Sequence, residues 1–438
     1  MTQYQNILQE ALSCWQRLSA FRKERERNKN YAFGRQWNDY ISVNGTRMTE
    51  HDYIISEGNI PLQNNLIRRI LRNVLGVFRS QLQERMEKWD KQTLAYATRN
   101  RLPELFARTM EEFLISGLAV HRRWTASHLG QPAECVDHVS PESFFFDSSC
   151  RDPRGWDVQM IGQIHDATFG EWCDAFVSSE ADYLSLVNRR ATLGRSALRV
   201  VEVWRHERRP RRLIHDVAAG KLIVAEVEQW KADPRLRQMP SRWIIDDVWR
   251  FYFIDMEGHI LRQGDSPLPS GHPYIFKAYP FLDGEIHSFV HDIIDQQRYA
   301  NRLITLYDWV MRASAKGVLL IPEGSVDSDS LQDVADQWGR FNGVIVYKPK
   351  PGMPDPKQVS ANTANIGIGE LLNIQLKMLE DVSGVNGALQ GNIAGNSVSG
   401  TLYSQQTQNS LTSLADLLES YFSFVDDTLS QMSSTALL

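Results

Sequence analysis

The sequence lacks the long apolar run that a membrane-spanning helix requires. No stretch of 18 consecutive apolar residues occurs among its 438 residues, whereas a spanning helix needs about 20. The N-terminal residues 1–10 are polar and do not show the charged and then apolar order of a signal peptide. We therefore expect a protein that is made and folded in the cytosol and has no membrane segment.

Cysteine is also scarce. The four cysteines are Cys14, Cys135, Cys150 and Cys173, and none lies in a Cys-x-x-Cys pair or at a regular spacing to histidine. A disulfide framework does not suit a cytosolic chain of this length, and structural zinc needs ligands that are close in pairs. We predict buried or incidental thiols.

The motifs that identify the common enzyme classes are absent. The sequence has no GxxxxGK[ST] phosphate loop, no HExxH, no GxSxG and no dinucleotide fingerprint. The nearest approach to a phosphate loop, residues 395–401, has the glycines and the threonine but no lysine. Without that cation the phosphates would lose their main charge partner, so we predict a flexible loop there. These absences favour a protein with no catalytic residues and no cofactor.

Two sets of charged residues have spacings that metal sites or catalytic dyads can also have. His287, His291 and Asp295 recur at every fourth residue of a predicted helix, but the helix rises about 12 Å from the first to the last, which is too far for one ion. The acidic pairs at 246–247 and 426–427 are typical of surface charge. We therefore predict a polar helix stripe, with no metal ligands and no catalytic dyad.

The one dense basic cluster has two interpretations. Its members are Arg205, Arg208, Arg209, Arg211 and Arg212. Such a cluster could contact phosphate, and together with Glu202 or Asp246 it could belong to an enzyme of unfamiliar type. Arginines in a loop at a sheet edge also prevent that edge from pairing with other chains. We favour the edge loop.

The composition predicts a folded protein with a substantial core. Hydrophobic residues make up 42% of the chain and aromatic residues 10%, which excludes wholesale disorder. The 48 basic and 53 acidic residues give a net charge of −5, which argues against a strongly basic nucleic-acid binder. The length corresponds to two or three domains, or to one large irregular domain.

Hydrophobic periodicity predicts helices at the N-terminus and an α+β region after them. Helices are predicted over 4–30 and 62–88, and a third has Pro103 in its first turn and ends near Gly117. Early strands are predicted at 118–124, 134–138, 144–146 and 157–164, and the last of these leads into a helix that contains Glu171 and Trp172. From 198 to 280 strand patterns dominate, at 198–206, 221–228, 243–254 and 259–262, with a hairpin turn at 256–259.

Two long helices frame a small α/β module in the C-terminal part. The first is predicted over 285–314 and the second over 367–383, which has a wide apolar face. The predicted module between them consists of a strand at 317–322, a helix at 328–340 and a strand at 344–348. A last amphipathic helix is predicted from Leu402 onward.

The segment between the last two helices carries no charge. From Val382 to Ala415, 34 consecutive residues include no Asp, Glu, Lys or Arg. A plain flexible linker could have this composition, but this segment joins two strongly patterned helices, so we predict an ordered loop from which charge is excluded. Residues 358–438 contain one lysine and seven acidic residues, which is a net charge of −6. The rest of the chain therefore has a net charge of +1.

This order of elements, together with local sequence, resembles that of tailed-bacteriophage portal proteins, the head-to-tail connectors. The resemblance rests on three regions: the N-terminal part of podovirus-type portals, the start of their stem helix, and the segment between stem and tunnel helix. The matching residues are, in that order, Gly34-Arg-Gln-Trp37 with Asn64-Asn65-Leu-Ile-Arg-Arg and Gly76; His272-Pro-Tyr with Asp283-Gly and Asp295-Gln-Gln-Arg-Tyr-Ala-Asn301; and Gly384-Val-Asn-Gly-Ala-Leu-Gln-Gly391 with Ser399-Gly400.

The resemblance implies an α+β portal fold with an α/β wing, a two-helix stem, a small α/β clip, a tunnel loop and a C-terminal tunnel helix. On this chain the wing would be residues 1–284, the stem helices 285–315 and 363–384, the clip 316–362, the tunnel loop 385–400, and the tunnel helix with a reduced crown 401–438. Only 38 residues follow Gly400, so the crown would be minimal or absent.

The resemblance also implies a structural function. Portals form rings, typically of twelve subunits, at one capsid vertex of the virion, and are assembled in the cytoplasm of the bacterial host. Double-stranded DNA passes through the ring during packaging and ejection. The implied partners are further copies of the chain, DNA, terminase, capsid and scaffold proteins, and head–tail adaptors. Another phage structural or adaptor protein is the alternative, followed by an enzyme of unrecognised type.

The implied site residues lie in the tunnel loop and the clip. A basic ring would bind phosphates strongly and in a salt-dependent way, whereas amides and hydroxyls make weak, interchangeable contacts that let DNA slide. The predicted DNA-facing residues are Asn386, Gln390, Asn392, Asn396 and Ser397, and the predicted flexible glycines are Gly384, Gly387, Gly391, Gly395 and Gly400. The predicted partner-docking residues of the clip are Glu323, Asp327, Lys348 and Lys350.

Overall fold

The computed structural model of the chain shows a mixture of helices and strands, which confirms the α+β class. It describes residues 3–128, 131–193, 197–217, 219–316, 318–323, 328–339, 352, 357–359, 367–387, 389 and 400–435. Two compact units are present: the first comprises Met1–Phe33, Ile67–Asp292 and Ser383–Leu438, and the second comprises Gly34–Leu66 and Ile293–Val382. Among the described helices, none combines the length and the apolar character needed to cross a membrane.

The N-terminal part is mostly helical, as predicted. The helix predicted over 4–30 is interrupted at Leu18, and the helix predicted over 62–88 is slightly shorter. Pro103 lies in the first turn of the third long helix, which ends at Gly117 with a φ of 78°. The elements are α1 (Gln3–Arg17), α2 (Ser19–Ala32), β1 (Tyr40–Val43), β2 (Thr46–Thr49), α3 (Glu50–Ser56), α4 (Leu66–Met86), α5 (Lys91–Arg99) and α6 (Leu102–Ser116).

The middle of the chain alternates strands with short helices. The predicted strands are present, several of them longer than expected. The elements are β3 (Leu118–His128), β4 (Gln131–His138), β5 (Phe144–Phe146), β6 (Met160–Thr168), α7 (Phe169–Phe176), α8 (Glu180–Leu193), β7 (Ala197–Asp216), β8 (Lys221–Glu226), α9 (Val227–Ala232), α10 (Pro234–Gln238), β9 (Ser241–Asp255), β10 (Ile260–Asp265), β11 (Tyr274–Ala278), β12 (Phe281–Leu282) and β13 (Glu285–Ile286).

The C-terminal part contains the long helices. The described elements are α11 (Phe289–Lys316), β14 (Val318–Leu320), α12 (Ser328–Gly339), β15 (Lys357–Val359), α13 (Ile368–Ser383) and α14 (Gly400–Thr435). The predicted helices at 328–340, 367–383 and from 402 are confirmed. The strand predicted at 344–348 lies outside the described residues.

The prediction that the long helix begins at Glu285 is wrong. Residues 285–286 instead form β13, which pairs antiparallel with β12. Asp283 and Gly284 make the turn between these strands with φ angles of 52° and 88°, as a two-residue hairpin requires. Helix α11 then begins at Phe289, where the hydroxyl of Ser288 accepts a hydrogen bond from the backbone N–H of His291 (3.1 Å).

The first unit is built on two antiparallel sheets. One has the strand order β10-β9-β7-β6-β5, with β8 also paired to β7, and the other has the order β11-β3-β4. Strand β7 is the longest, and it pairs with β9 from Val200↔Asp255 to Ile214↔Ser241. A buried aromatic cluster that includes Phe144, Tyr274 and Phe276 forms part of the core.

Candidate channel segment and polar clusters

Near the start of the uncharged segment, Gly384 ends α13. Gly384 has a φ of 67°, which is the left-handed conformation that terminates many helices. A Cβ atom at this position would lie 2.5 Å from Oγ of Ser413, and that hydroxyl donates a hydrogen bond to the carbonyl of Gly384 (3.1 Å). At Gly384, therefore, glycine is required by a fixed helix end that contacts α14.

Asn386 fixes the next residues against α14. Its Nδ2 donates to the carbonyl of Gln406 (3.0 Å), and its Oδ1 accepts from the backbone N–H of Leu389 (3.0 Å). Its own backbone N–H donates to Oγ of Ser410 (3.4 Å). Val385 beside it is fully buried. The side chain that we predicted to face DNA thus makes hydrogen bonds within the chain at both of its polar atoms.

The other predicted site residues are distributed as follows. Gly387 lies in a turn, Gly400 begins α14, and Glu323 is exposed after β14. The residues outside the described part of the chain are Gln390, Asn392, Asn396, Ser397, Gly391, Gly395, Asp327, Lys348 and Lys350. Their predicted roles remain predictions.

The first turns of α14 present uncharged polar side chains to solvent. The exposed residues here are Ser404, Gln405, Gln406, Gln408, Asn409, Thr412 and Ser413. They continue the uncharged run of the sequence onto an ordered helix surface. The residues predicted to face the channel end at 400, although the amide- and hydroxyl-rich composition of 401–410 was a signal that could have extended the set.

The second half of α14 is buried in the first unit. Tyr421 and Phe424 are fully buried, and Tyr421 Oη donates to the carbonyl of Phe106 (2.6 Å). The ring of Phe424 lies 4.5 Å from that of His121, whose Nδ1 is 3.2 Å from Oγ1 of Thr428. The helix thus changes from a polar surface to a core element along its length.

Residues from three of the portal-like motifs meet in a buried amide cluster of the second unit. Gln297 Oε1 accepts from the backbone N–H of Leu66 (2.9 Å), and its Nε2 donates to the carbonyl of Asn64 (2.7 Å) and to Oδ1 of Asn301 (3.0 Å). Asn301 Nδ2 in turn donates to Oε1 of Gln36 (2.6 Å). Buried amides that bond one another in this way fix a specific arrangement of backbone segments. Sequence reasoning noted these motifs but did not foresee their contact.

The prediction of a basic edge loop at 205–212 is wrong. All five arginines lie within β7, which pairs with β8 on one side and β9 on the other. Acidic side chains on neighbouring elements bond most of them: Arg211 contacts Glu226 (2.9 Å), Asp246 (3.1 Å) and Asp265 (2.7 Å). The remaining contacts are Arg205 with Glu10, Arg208 with Asp247, Arg209 with Glu207, and Arg212 over the ring of Trp230. Four of the five arginines are therefore paired with carboxylates within the fold, which does not favour phosphate binding.

Glu202 is held as a structural carboxylate. It is fully buried, accepts hydrogen bonds from Trp204 Nε1 (2.8 Å) and Arg122 Nη2 (3.2 Å), and lies 2.7 Å from His165 Nε2. Burial alone would raise the pKa of this carboxyl, but Arg122 and His165 lower it to about 2. A group with such a low pKa is a poor general base, and Asp246 is occupied by Arg211, so the enzyme hypothesis loses both of its carboxylates.

The histidine stripe predicted on the long helix does not form as such. His287 precedes α11, and Nδ1 of His291 lies 3.0 Å from Oε1 of Glu24. Among the described residues, the group with the spacing of metal ligands is Asp255, Glu257 and His259, in the predicted hairpin turn. There Asp255 accepts hydrogen bonds from the backbone N–H groups of Glu257 (3.0 Å) and His259 (2.8 Å), which is sufficient to explain its position.

Comparison with known families agrees with this fold. The family model described as phage P22-like portal protein matches residues 95–428. No curated protein matches the chain. The matched region extends from the N-terminal helices of the first unit to the buried half of α14. The chain belongs to the phage P22-like portal protein family, and the resemblance found in the sequence is confirmed.

Proposed function

From this family membership, we propose that the chain forms a ring at one vertex of a phage capsid and that double-stranded DNA passes through the ring during packaging and ejection. Twelve subunits are the expected number, because portal rings typically have twelve. A protein of this kind provides a passage and docking surfaces, and it carries out no chemistry of its own. Assembly would take place in the cytoplasm of the bacterial host, before the portal becomes part of the virion.

The domains follow the portal order. We assign residues 1–284 to the wing, 285–315, whose helix begins at Phe289, and 363–384 to the stem, 316–362 to the clip, 385–400 to the tunnel loop, and 401–438 to the tunnel helix and a reduced crown. The clip would bind terminase during packaging and head–tail adaptors afterwards, and the wing would contact capsid and scaffold proteins. DNA would pass the tunnel loop and the exposed polar face of α14.

The observation that carries the DNA-passage proposal is the absence of charge from Val382 to Ala415. Lysine or arginine repeated around a ring would neutralise phosphates, release counterions and bind DNA strongly. Exposed amides such as Gln405 and Asn409 make weaker contacts that exchange readily as DNA moves. The same composition in a ring of identical subunits repeats this property at every position around the passage.

The test adds positive charge to this surface. Gln405→Arg and Asn409→Arg, combined in one variant, should form rings normally but should slow DNA packaging in a reconstituted packaging reaction. The defect should be largest at low salt and smaller at high salt, because the added contacts depend on counterion release. Gln83→Arg combined with Gln92→Arg, at exposed positions of α4 and α5, adds the same charge elsewhere and serves as the control. Packaging by the double variant at the wild-type rate and salt dependence would contradict the proposal.

The ring itself is tested separately by negative-stain imaging and native mass spectrometry of the purified chain. A ring with a central hole is the expected result, and its mass gives the number of subunits. A compact monomer at all concentrations would contradict the proposal that the chain forms a ring.

A further inference from the structure

Helix α13 has more apolar surface than the second unit covers. Its inward residues include Ile368, Gln375 and Leu379, which are 6%, 7% and 4% exposed, and Gln375 Nε2 donates to the carbonyl of Gln296 (3.3 Å). A second apolar stripe on the same helix remains outside. Its members, Leu371, Ile374, Met378 and Val382, are 43%, 52%, 50% and 48% exposed. At 100° per residue they share one side of the helix, next to the buried side.

Four half-exposed large side chains in one row form a contiguous patch. Single exposed apolar residues are normal on a protein surface, whereas a contiguous apolar patch is a mark of an interaction site. The wide apolar face that the sequence predicts for this helix is thus divided by the structure into a covered part and an uncovered part. We call the uncovered part, Leu371, Ile374, Met378 and Val382, the α13 stripe.

The same unit contains a cavity of about 460 Å³. It is lined by residues of β1, α3 and α11 and of the loops beside β1 and α3, and most of its lining is apolar or aromatic. Leu306 and Trp309 of α11, on its wall, are 44% and 50% exposed. Trp37, Tyr53 and Ile54 also line the cavity. A cavity of this size accommodates side chains of the kind that the α13 stripe presents.

Ion pairs connect α3 and α11, two of the helices that line the cavity. Glu50 is 3% exposed and contacts both Arg298 and Arg302, the latter at 2.7 Å. Thr49 caps α3 by accepting a hydrogen bond from the backbone N–H of Asp52 (3.1 Å). The two sides of the cavity are therefore held together by charge-assisted bonds before any partner arrives, and such preorganisation lowers the entropic cost of binding.

We propose that the α13 stripe of one subunit inserts into this cavity on the next subunit of the ring. The inference rests on the proposed ring, because a cyclic assembly of identical chains needs two different complementary surfaces on each chain, joined head to tail. The stripe and the cavity are two such surfaces on one unit: one is a protruding apolar row and the other an apolar depression. The occupant of the cavity is thus a second copy of this chain.

The polar residues beside the two surfaces fit this arrangement. Lys377 lies on α13 next to the stripe, and Glu57 lies at the cavity, and both are exposed. Arg302, also at the cavity, has a side chain that is 52% exposed, and Glu370 is exposed at the start of α13. Each surface therefore has an apolar centre with charges of both signs at its side, as protein interfaces commonly have.

The first experiment places a charge in each surface of the full-length chain. Met378→Glu on the stripe and Leu306→Glu in the cavity should each raise the concentration needed for half-assembly by about tenfold or more, because a carboxylate would be buried without a partner. Asn373→Glu is the control, since Asn373 is exposed on the opposite side of α13. Sedimentation velocity measures assembly, and circular dichroism verifies that each variant is folded. Met378→Gln, with a smaller penalty, should give an intermediate defect.

The second experiment mixes the two charged variants. Met378→Glu retains an intact cavity and Leu306→Glu retains an intact stripe. In a mixture, the stripe of Leu306→Glu can therefore insert into the cavity of Met378→Glu, which gives one normal contact per pair. The mixture should give dimers that neither variant forms alone, but no rings. If stripe packed on stripe, Leu306→Glu, whose stripe is intact, would form dimers by itself. Dimers of Leu306→Glu alone, or no dimers in the mixture, would overturn the head-to-tail pairing.

The outcomes separate this inference from the proposed function. Rings formed by Met378→Glu and Leu306→Glu at the wild-type concentration would overturn the stripe-and-cavity contact while leaving the portal assignment intact. A wild-type chain that never forms rings would overturn the proposed ring, and this inference with it. Loss of assembly in Asn373→Glu as well would overturn the assignment to the stripe side of α13.

Discussion

The two halves of α14 have opposite surroundings although they form one continuous helix. The first half, up to Ser413, exposes amides and hydroxyls and has no charge, whereas the second half buries Leu414, Leu418, Tyr421, Phe422 and Phe424. The first half thus leaves a neutral polar surface exposed, and the second half is anchored. The difference shows how one helix can expose a neutral polar surface and still have a fixed position, because the buried apolar residues of its second half pack in the core.

The largest expected effect comes from the anchored half. Phe424→Ala removes a fully buried ring that contacts His121 and Tyr421, and it should lower the free energy of unfolding by about 3–5 kcal/mol. Gln405→Ala in the exposed half is the matched change and should alter it by less than about 0.5 kcal/mol. Urea unfolding of both variants measures the contrast. Equal effects would mean that the two halves are not energetically distinct.

The next largest effect should be a loss of folding stability at acidic pH, caused by buried histidines, one of which contacts the anchored half of α14. His121 is fully buried between Thr109 and Thr428, and burial lowers its pKa well below the ordinary value, with His138 nearby lowering it further. Burial also lowers the pKa of His138 and of His272 to about 4. The unfolded chain therefore binds protons between about pH 6.5 and 4 that the folded chain does not.

Stability should consequently be greatest above pH 6.5 and should fall as the pH drops toward 4, by up to about 3 kcal/mol for each of His138 and His272. Urea unfolding at a series of pH values measures the slope. His272→Asn should flatten it, because one of the groups that must be charged on unfolding is gone. An unchanged slope in that variant would show that His272 does not contribute to the pH dependence of stability.

The smallest effect concerns the contact between the helix end at Gly384 and the exposed half of α14. Gly384→Ala should cost about 1–2 kcal/mol, since alanine disfavours a positive φ and its Cβ would lie 2.5 Å from Oγ of Ser413. Ser413→Ala removes that hydroxyl, so the double variant should be less destabilised than the sum of the single ones. Thermal unfolding of the three variants gives the coupling. Strict additivity would show that the clash does not contribute.

Sequence periodicity and composition predicted most helices, several strands and the uncharged segment. Local signals were sufficient there: Pro103 and Gly117 bound α6, and the residues without charge from Val382 to Ala415 needed no structure to be recognised. The predicted start of α11 was four residues too early, because the Asp-Gly turn at 283–284 was interpreted as the segment that leads into the helix and not as a hairpin. That turn was readable from sequence, since Asp-Gly is a strong hairpin signal.

Pairing between distant segments could not be read in this way. The arginines at 205–212 suggested a loop at a sheet edge, where cations prevent pairing with other chains. They lie instead within a sheet, where Arg211 alone is paired with Glu226, Asp246 and Asp265 from other elements. The amide cluster of Gln36, Asn64, Gln297 and Asn301 joins residues far apart in the chain. A sequence pattern names such residues, but their partners follow from the fold.

The sequence by itself determined the α+β class, the family and the neutrality of the segment between α13 and α14, because periodicity, motif order and charge are properties of the linear chain. Only the tertiary structure decided which side chains of that segment are already bonded, as Asn386 is to Gln406 and Leu389. It also decided which half of the apolar face of α13 remains uncovered. The physical reason is that burial and hydrogen bonding depend on which distant elements are brought into contact, and a helix pattern shows an apolar face without showing what covers it.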